Sequence, residues 1–198
     1  MTELRKNTNP VSVPKQYMNG FKREQMQDVF SEIYQKNFWA HAEGSGSDSR
    51  PEIVPEYFNV LTNILDEYKV KTVSDLGCGT FYIFKDYVWP DDVSYTGYDV
   101  SDIALEKAVK NCSRKDFKFQ HIKDYSEIEP SNLLIVKDVI CHWPKDLVID
   151  FVNNFLPKFD NAIIVGNPKI NMFDEIATYK REWLFKNEKG HEYGVWMY

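Results

Sequence analysis

Cysteines and long apolar runs are scarce in this 198-residue sequence, and an N-terminal signal pattern is missing. The three cysteines, Cys78, Cys112 and Cys141, are odd in number and lack the spacing of a zinc site. No apolar stretch approaches the roughly 18 residues that a membrane span requires. Residues 1–14 are polar and lack the apolar segment of a secretory signal. We therefore expect free thiols, no membrane partner, no bound metal and a cytoplasmic location.

Positive charge is also in short supply. The sequence has 24 Lys and Arg against 30 Asp and Glu, which gives a net charge of −6. A surface that binds nucleic acid needs a surplus of basic residues, so the composition disfavours nucleic acid as a partner. The neighbours Lys180 and Arg181 leave room for a local basic patch. The length and the 43% hydrophobic content predict one globular domain with one core, and they leave the oligomeric state open.

Hydrophobic periodicity predicts alternating helices and strands. Residues 1–19 predict a loose arm, and apolar residues at helical spacing follow over residues 21–38 and again over 54–68. Beyond them, strand-like segments alternate with helical patterns at residues 71–76, 93–100, 117–122, 133–137 and 162–165. This alternation predicts an α/β, Rossmann-like, doubly wound and mostly parallel sheet with helices on both faces. A turn signal at residues 187–190 predicts a C-terminal antiparallel hairpin.

Two residues mark expected helix starts, and one loop divides the chain. Ser101 suits a helix cap, and Pro144 suits the first position of a helix. A Ser/Gly-rich stretch, residues 43–49, lies between the first two predicted helices. A flexible linker is one interpretation, but the position between two helices favours a mobile lid, so we name this stretch the lid loop. We divide the chain into residues 1–50 (arm, helix and lid loop) and a main domain of residues 51–198.

The residues that most strongly indicate a ligand-binding site lie at the end of the first predicted strand and directly after it. Asp75, Gly77 and Gly79 form an Asp-x-Gly-x-Gly pattern, and glycine there lets the chain turn sharply and lets a ligand approach the backbone. A dinucleotide site would need a third glycine where this sequence has Tyr82, and no Walker lysine follows. The pattern instead resembles the signature of class I S-adenosylmethionine-dependent methyltransferases. One departure is Phe81, at a position where many of these enzymes have a third glycine.

The resemblance covers about residues 52–198, because acidic residues also follow the next three strands, at Asp99, Asp124 and Asp138. It implies that the glycine loop passes beneath the methionine part of the methyl donor, with Asp75 orienting that loop or the donor's ammonium group. It also implies that Asp99 holds the ribose and that Asp124 faces the adenine amino group. The residues implied to contact the donor are Asp75, Gly77, Cys78, Gly79, Asp99, Val100, Ile103, Asp124 and Tyr125.

A narrower resemblance concerns the N-terminal third. The pattern from Phe30 to Trp39, followed by the lid loop, is similar to small stand-alone methyltransferases of bacterial surface-polysaccharide clusters and large DNA viruses. By this resemblance Ser45 and Ser47, near the amino terminus of the following helix, bind a carboxylate or phosphate, for which the donor's own carboxylate is the nearest candidate.

The methyl acceptor is expected to bind near Asp138 and His142, which follow the fourth predicted strand. Methyl transfer to an oxygen benefits from a base, and histidine has a suitable pKa, although His142 could instead pack against the helix that follows it. Asp138 is a candidate for contact with donor or acceptor. Trp39 and Trp143 either wall the acceptor pocket or belong to the core. A salt bridge at the strand edge is a better interpretation of Lys137 than catalysis.

The sequence therefore predicts a methyltransferase that uses S-adenosylmethionine to methylate a small molecule or a glycan, most simply at oxygen. Methylation of RNA or protein is an alternative, and a non-catalytic donor-binding module is another. An NAD-dependent oxidoreductase is disfavoured by Tyr82. The residues show no metal cluster, although Asp124 and Asp138 leave a metal-assisted variant open.

Overall fold

The computed structural model describes residues 25–39, 41–46, 49–50 and 55–166, and the backbone of two further strands. The α-helices are α1 (Met26–Lys36), α2 (Pro55–Glu67), α3 (Asp102–Asn111) and α4 (Lys145–Asp150). The strands are β1 (Thr72–Leu76), β2 (Ser94–Asp99), β3 (Lys118–His121), β4 (Leu133–Lys137), β5 (Asn161–Gly166), β6 (Lys180–Lys186) and β7 (Glu192–Met197). Helix α4 continues into a π-helical turn, Phe151–Phe155, and a short 3₁₀ helix, Leu156–Lys158.

All seven strands belong to one sheet, in the order β3-β2-β1-β4-β5-β7-β6. Strands β1 to β5 are parallel, whereas β7 is antiparallel to both β5 and β6. The chain moves outward from β1 to β3 and then returns to place β4 on the other side of β1. These observations confirm the doubly wound, mostly parallel sheet. Strands β6 and β7 pair as the predicted hairpin requires, and its predicted turn lies outside the described residues.

Both faces of the sheet are buried, and β4 shows how. Leu133 and Ile135 pack into the core beneath α2, whereas Leu134 and Val136 pack into the core beneath α4 and the π-helical turn. All four side chains are fully buried. A strand covered on both faces has no reason to alternate apolar and polar residues, which is why this segment reads as one apolar run.

The start of α3 agrees with the sequence-based prediction, whereas the start of α4 differs from it by one residue. Ser101 caps α3, with its hydroxyl accepting a hydrogen bond from the backbone N–H of Ala104 at 3.4 Å, as predicted. Pro144 is the cap residue of α4 and not its first helical residue, because its ψ of 149° is extended. The first helix begins at Met26 among the described residues, and the earlier part of its pattern lies outside them.

The crossover from β1 to β2 contains no α-helix in residues 77–93, all of which are described. A 3₁₀ helix, Tyr82–Phe84, takes its place, and aromatic rings fill the space beside the sheet. Phe81 packs edge-on against Tyr95, with ring centroids 5.3 Å apart, and against Phe119 at the same distance. Its φ of +58° shows that this packing holds a bulky residue in a backbone conformation that glycine adopts more easily.

Within the described part of the chain, the helices are too short or too polar to cross a bilayer. The same residues contain no cluster of three or more side chains suited to hold a metal ion.

Candidate functional site

A cavity of about 370 Å³ opens at the carboxyl ends of β1, β2, β3 and β4. It lies at the point where the strand order reverses, between β1 and β4, and α1 and the lid loop form its other wall. Doubly wound sheets bind ligands at this point, and the volume suits a small molecule. The predicted site residues that line the cavity are Trp39, Ser45, Asp75, Gly77, Cys78, Gly79, Asp99, Val100, Asp124, Tyr125, Asp138, His142 and Trp143.

Two predicted residues are not among the described residues that line the cavity. Ile103 is half-buried on α3 and does not belong to the cavity wall, although the neighbouring Val100 does. Ser47 lies outside the described residues.

The glycine loop needs glycine at two positions. Gly77 has a φ of +74°, and a Cβ placed there would lie 2.3 Å from Cγ2 of Val139. Gly79 has a φ of +57°, and a Cβ there would lie 2.8 Å from the Tyr34 hydroxyl and 2.9 Å from Oγ of Ser45. The loop is thus closely packed against the segment after β4 on one side and against α1 and the lid loop on the other.

Cys78 faces the sheet. A Cβ on Gly97 of β2 would lie 2.8 Å from its Sγ, so the thiol occupies the space that this glycine leaves. Burial, and next the negative charge of Asp99, raise the pKa of the Cys78 thiol well above its ordinary value. A buried, protonated thiol is a poor nucleophile, so this environment disfavours a covalent role for Cys78 and suits a residue that packs in the loop.

Asp75 is buried at the base of the cavity. Its Oδ2 accepts a hydrogen bond from the Tyr95 hydroxyl at 2.5 Å. Burial raises the pKa of this carboxyl to about 7, against the lowering effects of the Tyr95 hydrogen bond and of the positive charge on Lys137. The group therefore changes its charge near neutral pH.

Asp99 connects the glycine loop to α3. Its Oδ2 accepts a hydrogen bond from the backbone N–H of Gly79, and its Oδ1 accepts one from that of Ser101, both at 2.9 Å. Burial raises the pKa of Asp99 to about 6, while these backbone hydrogen bonds lower it. Each carboxylate oxygen has two lone pairs, so both oxygens keep one for a hydroxyl group in the cavity.

Asp124 caps the 3₁₀ helix Tyr125–Glu127, with its Oδ1 accepting a hydrogen bond from the backbone N–H of Ser126 at 2.9 Å. The carboxylate is half-buried at the cavity wall. Tyr125 stacks on Trp143, with ring centroids 5.3 Å apart and an interplanar angle of 26°. Trp143 also packs edge-on against Phe151, so it is both a core residue and part of the wall.

His142 lies among aromatic rings that come from the N-terminal segment. Its imidazole stacks on Trp39 at 5.9 Å and 22°, and it meets Phe30 edge-on at 5.7 Å. Burial lowers the pKa of His142 below its ordinary 6.5, and the negative charge of Asp138 only partly opposes this. The imidazole is therefore neutral at pH 7 and able to accept a proton.

The end of β4 has the predicted ion pair of Lys137, and it also contributes to the cavity wall, which was not predicted. Lys137 does pair with a carboxylate, that of Asp138, but its side chain is only 9% exposed and lines the cavity. Asp138 has a φ of +57°, and its N–H donates to the carbonyl of Val165 at 2.7 Å. The apolar run of β4 gave no sign that its last residue turns into the cavity.

The lid loop is docked where the structure describes it. Oγ of Ser45 lies 2.9 Å from Oγ1 of Thr80 and accepts a hydrogen bond from the Thr80 N–H at 3.2 Å. The amide of Asn111 donates to Oε2 of Glu43, and Nζ of Lys107 donates to the Glu43 carbonyl, both at 2.8 Å. These contacts attach the loop to the glycine loop and to α3.

The cavity has two ends. The polar half comprises Asp75, the glycine loop, Asp99, Asp124 and Lys137, all at strand ends. The aromatic half comprises Phe30, Trp39, Val139, His142 and Leu147. Sequence reasoning missed Phe30 and Tyr34 as wall residues because they belong to the apolar stripe of α1, which looks the same whether it faces a core or a cavity.

Neither a protein-family model nor a curated protein matches the chain. Solved structures do. A magnesium protoporphyrin IX methyltransferase from Synechocystis PCC 6803, crystallised with bound SAM, matches with a TM-score of 0.65 and 14% identity over 90% of this chain and 97% of the other. The chain has the Rossmann-like fold of methyltransferases.

Two other solved structures with this fold are named for different methylation reactions. A putative O-methyltransferase from Klebsiella pneumoniae matches with a TM-score of 0.53 and 13% identity, over 92% of this chain and 93% of the other. The 16S rRNA methylase ArmA matches with a TM-score of 0.52 and 14% identity, over 87% and 98%. The fold is therefore compatible with acceptors of very different sizes, and the acceptor has to be argued from the cavity.

Proposed function

We propose that this protein is a methyltransferase that uses S-adenosylmethionine and methylates a small molecule or a glycan at oxygen. The observation that carries the proposal is the polar half of the cavity. There the carboxylates of Asp75, Asp99 and Asp124 and the glycine loop line one cavity, and these are the residues to which the resemblance to class I methyltransferases gives contacts with the donor.

The residues of the polar half fit such a donor. Asp99 keeps a lone pair on each oxygen for the two ribose hydroxyls, and Asp124 offers an acceptor oxygen for the adenine amino group. Val100 supplies an apolar wall for the adenine ring. The carboxylate of Asp75 complements the ammonium group when ionised. When bound, the donor supplies a methyl group on a positively charged sulfur.

The aromatic half fits a small acceptor. Trp39, Phe30 and Leu147 present apolar surface to a compact ring, and His142 places one polar atom among them. A neutral imidazole removes the proton from an acceptor hydroxyl as the oxygen becomes a nucleophile. The cavity volume of about 370 Å³ is in the lower part of the range for small-molecule sites, which supports a small molecule or the end of a glycan chain as the acceptor.

Binding of S-adenosylhomocysteine, measured by calorimetry, tests the donor site first. We expect the wild type to bind it and Asp99→Ala to bind about 10- to 100-fold more weakly, because hydrogen bonds to a charged group are lost. Equal binding by both proteins would disprove the role of Asp99. A wild type that does not bind would disprove the proposed function.

Transfer of a labelled methyl group from S-adenosylmethionine into a fractionated cell extract tests the acceptor. Label in the low-mass or glycan fraction is the expected result and provides material for isolation. Label in RNA or protein would contradict the proposed acceptor class while preserving the donor site.

A further inference from the structure

Lys137 lies inside the cavity, on the same face of the sheet as Asp75. In the β1–β4 register Asp75 pairs with Ile135, and Lys137 follows two residues later. Side chains two residues apart in a strand point to the same face, so the ammonium of Lys137 and the carboxylate of Asp75 both face the side that α2 covers. The positive charge of Lys137 acts on Asp75 and lowers its pKa.

The ion pair with Asp138 uses only one of the three N–H donors of Lys137. Its partner, Asp138, has a side chain that is 36% exposed, and pairs with one partly solvated member contribute little to stability. Burying an ammonium is costly unless further acceptors satisfy its three donors. The other lysine among the described lining residues, Lys123, is exposed. Of the two lysines in the described cavity wall, Lys137 is therefore the less exposed, and it is suited to bind an anionic group.

Ser45 of the lid loop is a weaker candidate for that anion. Sequence reasoning assigned the donor's carboxylate to Ser45 and Ser47, but the hydroxyl of Ser45 is already engaged with Thr80 in two hydrogen bonds. Those contacts direct Ser45 toward the glycine loop. A neutral hydroxyl is also a weaker partner for a carboxylate than an ammonium is.

We propose that Lys137 binds the α-carboxylate of the methyl donor while Asp75 faces its α-ammonium group. This inference rests on the proposed function. The two groups of an α-amino acid sit on one carbon with opposite charges, and adjacent strands here present opposite charges on one face of the sheet. The three N–H donors of Lys137 allow it to keep Asp138 as a partner while it binds the ligand.

The test uses ligands that differ only in the carboxylate. Calorimetry compares S-adenosylhomocysteine with its decarboxylated analogue on the wild type, on Lys137→Met and on the control Lys110→Met, which changes an exposed lysine in the last turn of α3. We expect Lys137→Met to bind S-adenosylhomocysteine about 10- to 100-fold more weakly and to bind the analogue as the wild type does. Lys110→Met should match the wild type with both ligands.

Three results would overturn the inference. One is equal affinity of Lys137→Met and wild type for S-adenosylhomocysteine, and another is an equal loss for both ligands, which would indicate a general effect on the fold. The third result concerns the wild type alone. Equal affinity for both ligands would show that no residue of the protein binds the carboxylate. All of these presuppose that the wild type binds S-adenosylhomocysteine, so failure of the inference and failure of the proposed function give different results.

Discussion

In the polar half of the cavity every charged group lies at the end of a parallel strand or within a few residues after it, whereas side chains from segments far apart in sequence form the wall of the aromatic half. Asp75, Asp99 and Lys137 are fixed by strand register and by backbone hydrogen bonds. Trp39 and His142 are more than 100 residues apart and meet through ring packing. The polar half is therefore set by the rules of the fold, and the aromatic half by details of packing that can vary on the same fold.

The variant with the largest expected effect tests whether the aromatic half determines turnover while the polar half determines binding of the donor. His142→Ala should lower turnover by roughly 10²- to 10⁴-fold, the usual contribution of a general base, while affinity for S-adenosylhomocysteine stays within about twofold. Wild-type turnover should rise with pH and level off below pH 6.5, because burial lowers the pKa of His142. Kinetics with the isolated acceptor, together with calorimetry, check both statements.

Trp39→Leu is the matched comparison for that variant. It removes the ring stacked on His142 but leaves the imidazole, so turnover should fall less than in His142→Ala. Full turnover in His142→Ala at saturating acceptor would show that the imidazole only packs.

Gly77→Ala should have the next largest effect, and on stability. A left-handed backbone costs a residue with a Cβ roughly 1–2 kcal/mol. Overpacking against Val139, 2.3 Å from the new Cβ, adds about 1–3 kcal/mol. Urea unfolding measures the sum. The double variant Gly77→Ala/Val139→Ala should recover the packing part alone, and complete recovery would mean that the backbone is not strained.

The pH dependence of stability tests the charge at the base of the polar half. The pKa of Asp75 is about 7 in the folded protein against an ordinary 3.8, so the folded state binds this proton more tightly. Its contribution to stability is full below about pH 4 and is lost as pH rises to 7, a loss of about 2–3 kcal/mol between pH 5 and 8. Urea unfolding of the wild type at these two pH values measures this loss together with that of Asp99, whose pKa is raised to about 6, so a variant has to isolate the part due to Asp75.

Asp75→Asn is the isosteric control, since it keeps an acceptor for the Tyr95 hydroxyl without the titration. Its stability should fall less between pH 5 and 8 than that of the wild type. A parallel decline in both proteins would show that Asp75 does not titrate in this range.

The sequence predicts the polar half better than the aromatic half for a physical reason. Asp75, Gly77 and Gly79 form a local pattern, because a tight turn after a strand restricts the residue types directly. The mostly parallel sheet follows from the alternation of strands and helices. Contacts such as Trp39 with His142 depend on how α1 docks, and no local pattern encodes docking. The ion pair of Lys137 was predicted, but its position in the cavity wall was not, because an ion pair with a sequence neighbour looks the same at a surface and in a cavity.

The smallest expected effect concerns Ser45, whose hydrogen bonds to Thr80 join the lid loop to the glycine loop. One hydrogen bond contributes about 0.5–1.5 kcal/mol, so Ser45→Ala should speed dissociation of S-adenosylhomocysteine by about 2- to 10-fold if the loop must undock first. Stopped-flow kinetics measure this rate. Because Thr80→Val removes the same side-chain contact, the double variant should show less than the sum of the two single effects. Strict additivity would show that the ligand leaves the cavity by another route. The lid loop would then be a fixed part of the cavity wall.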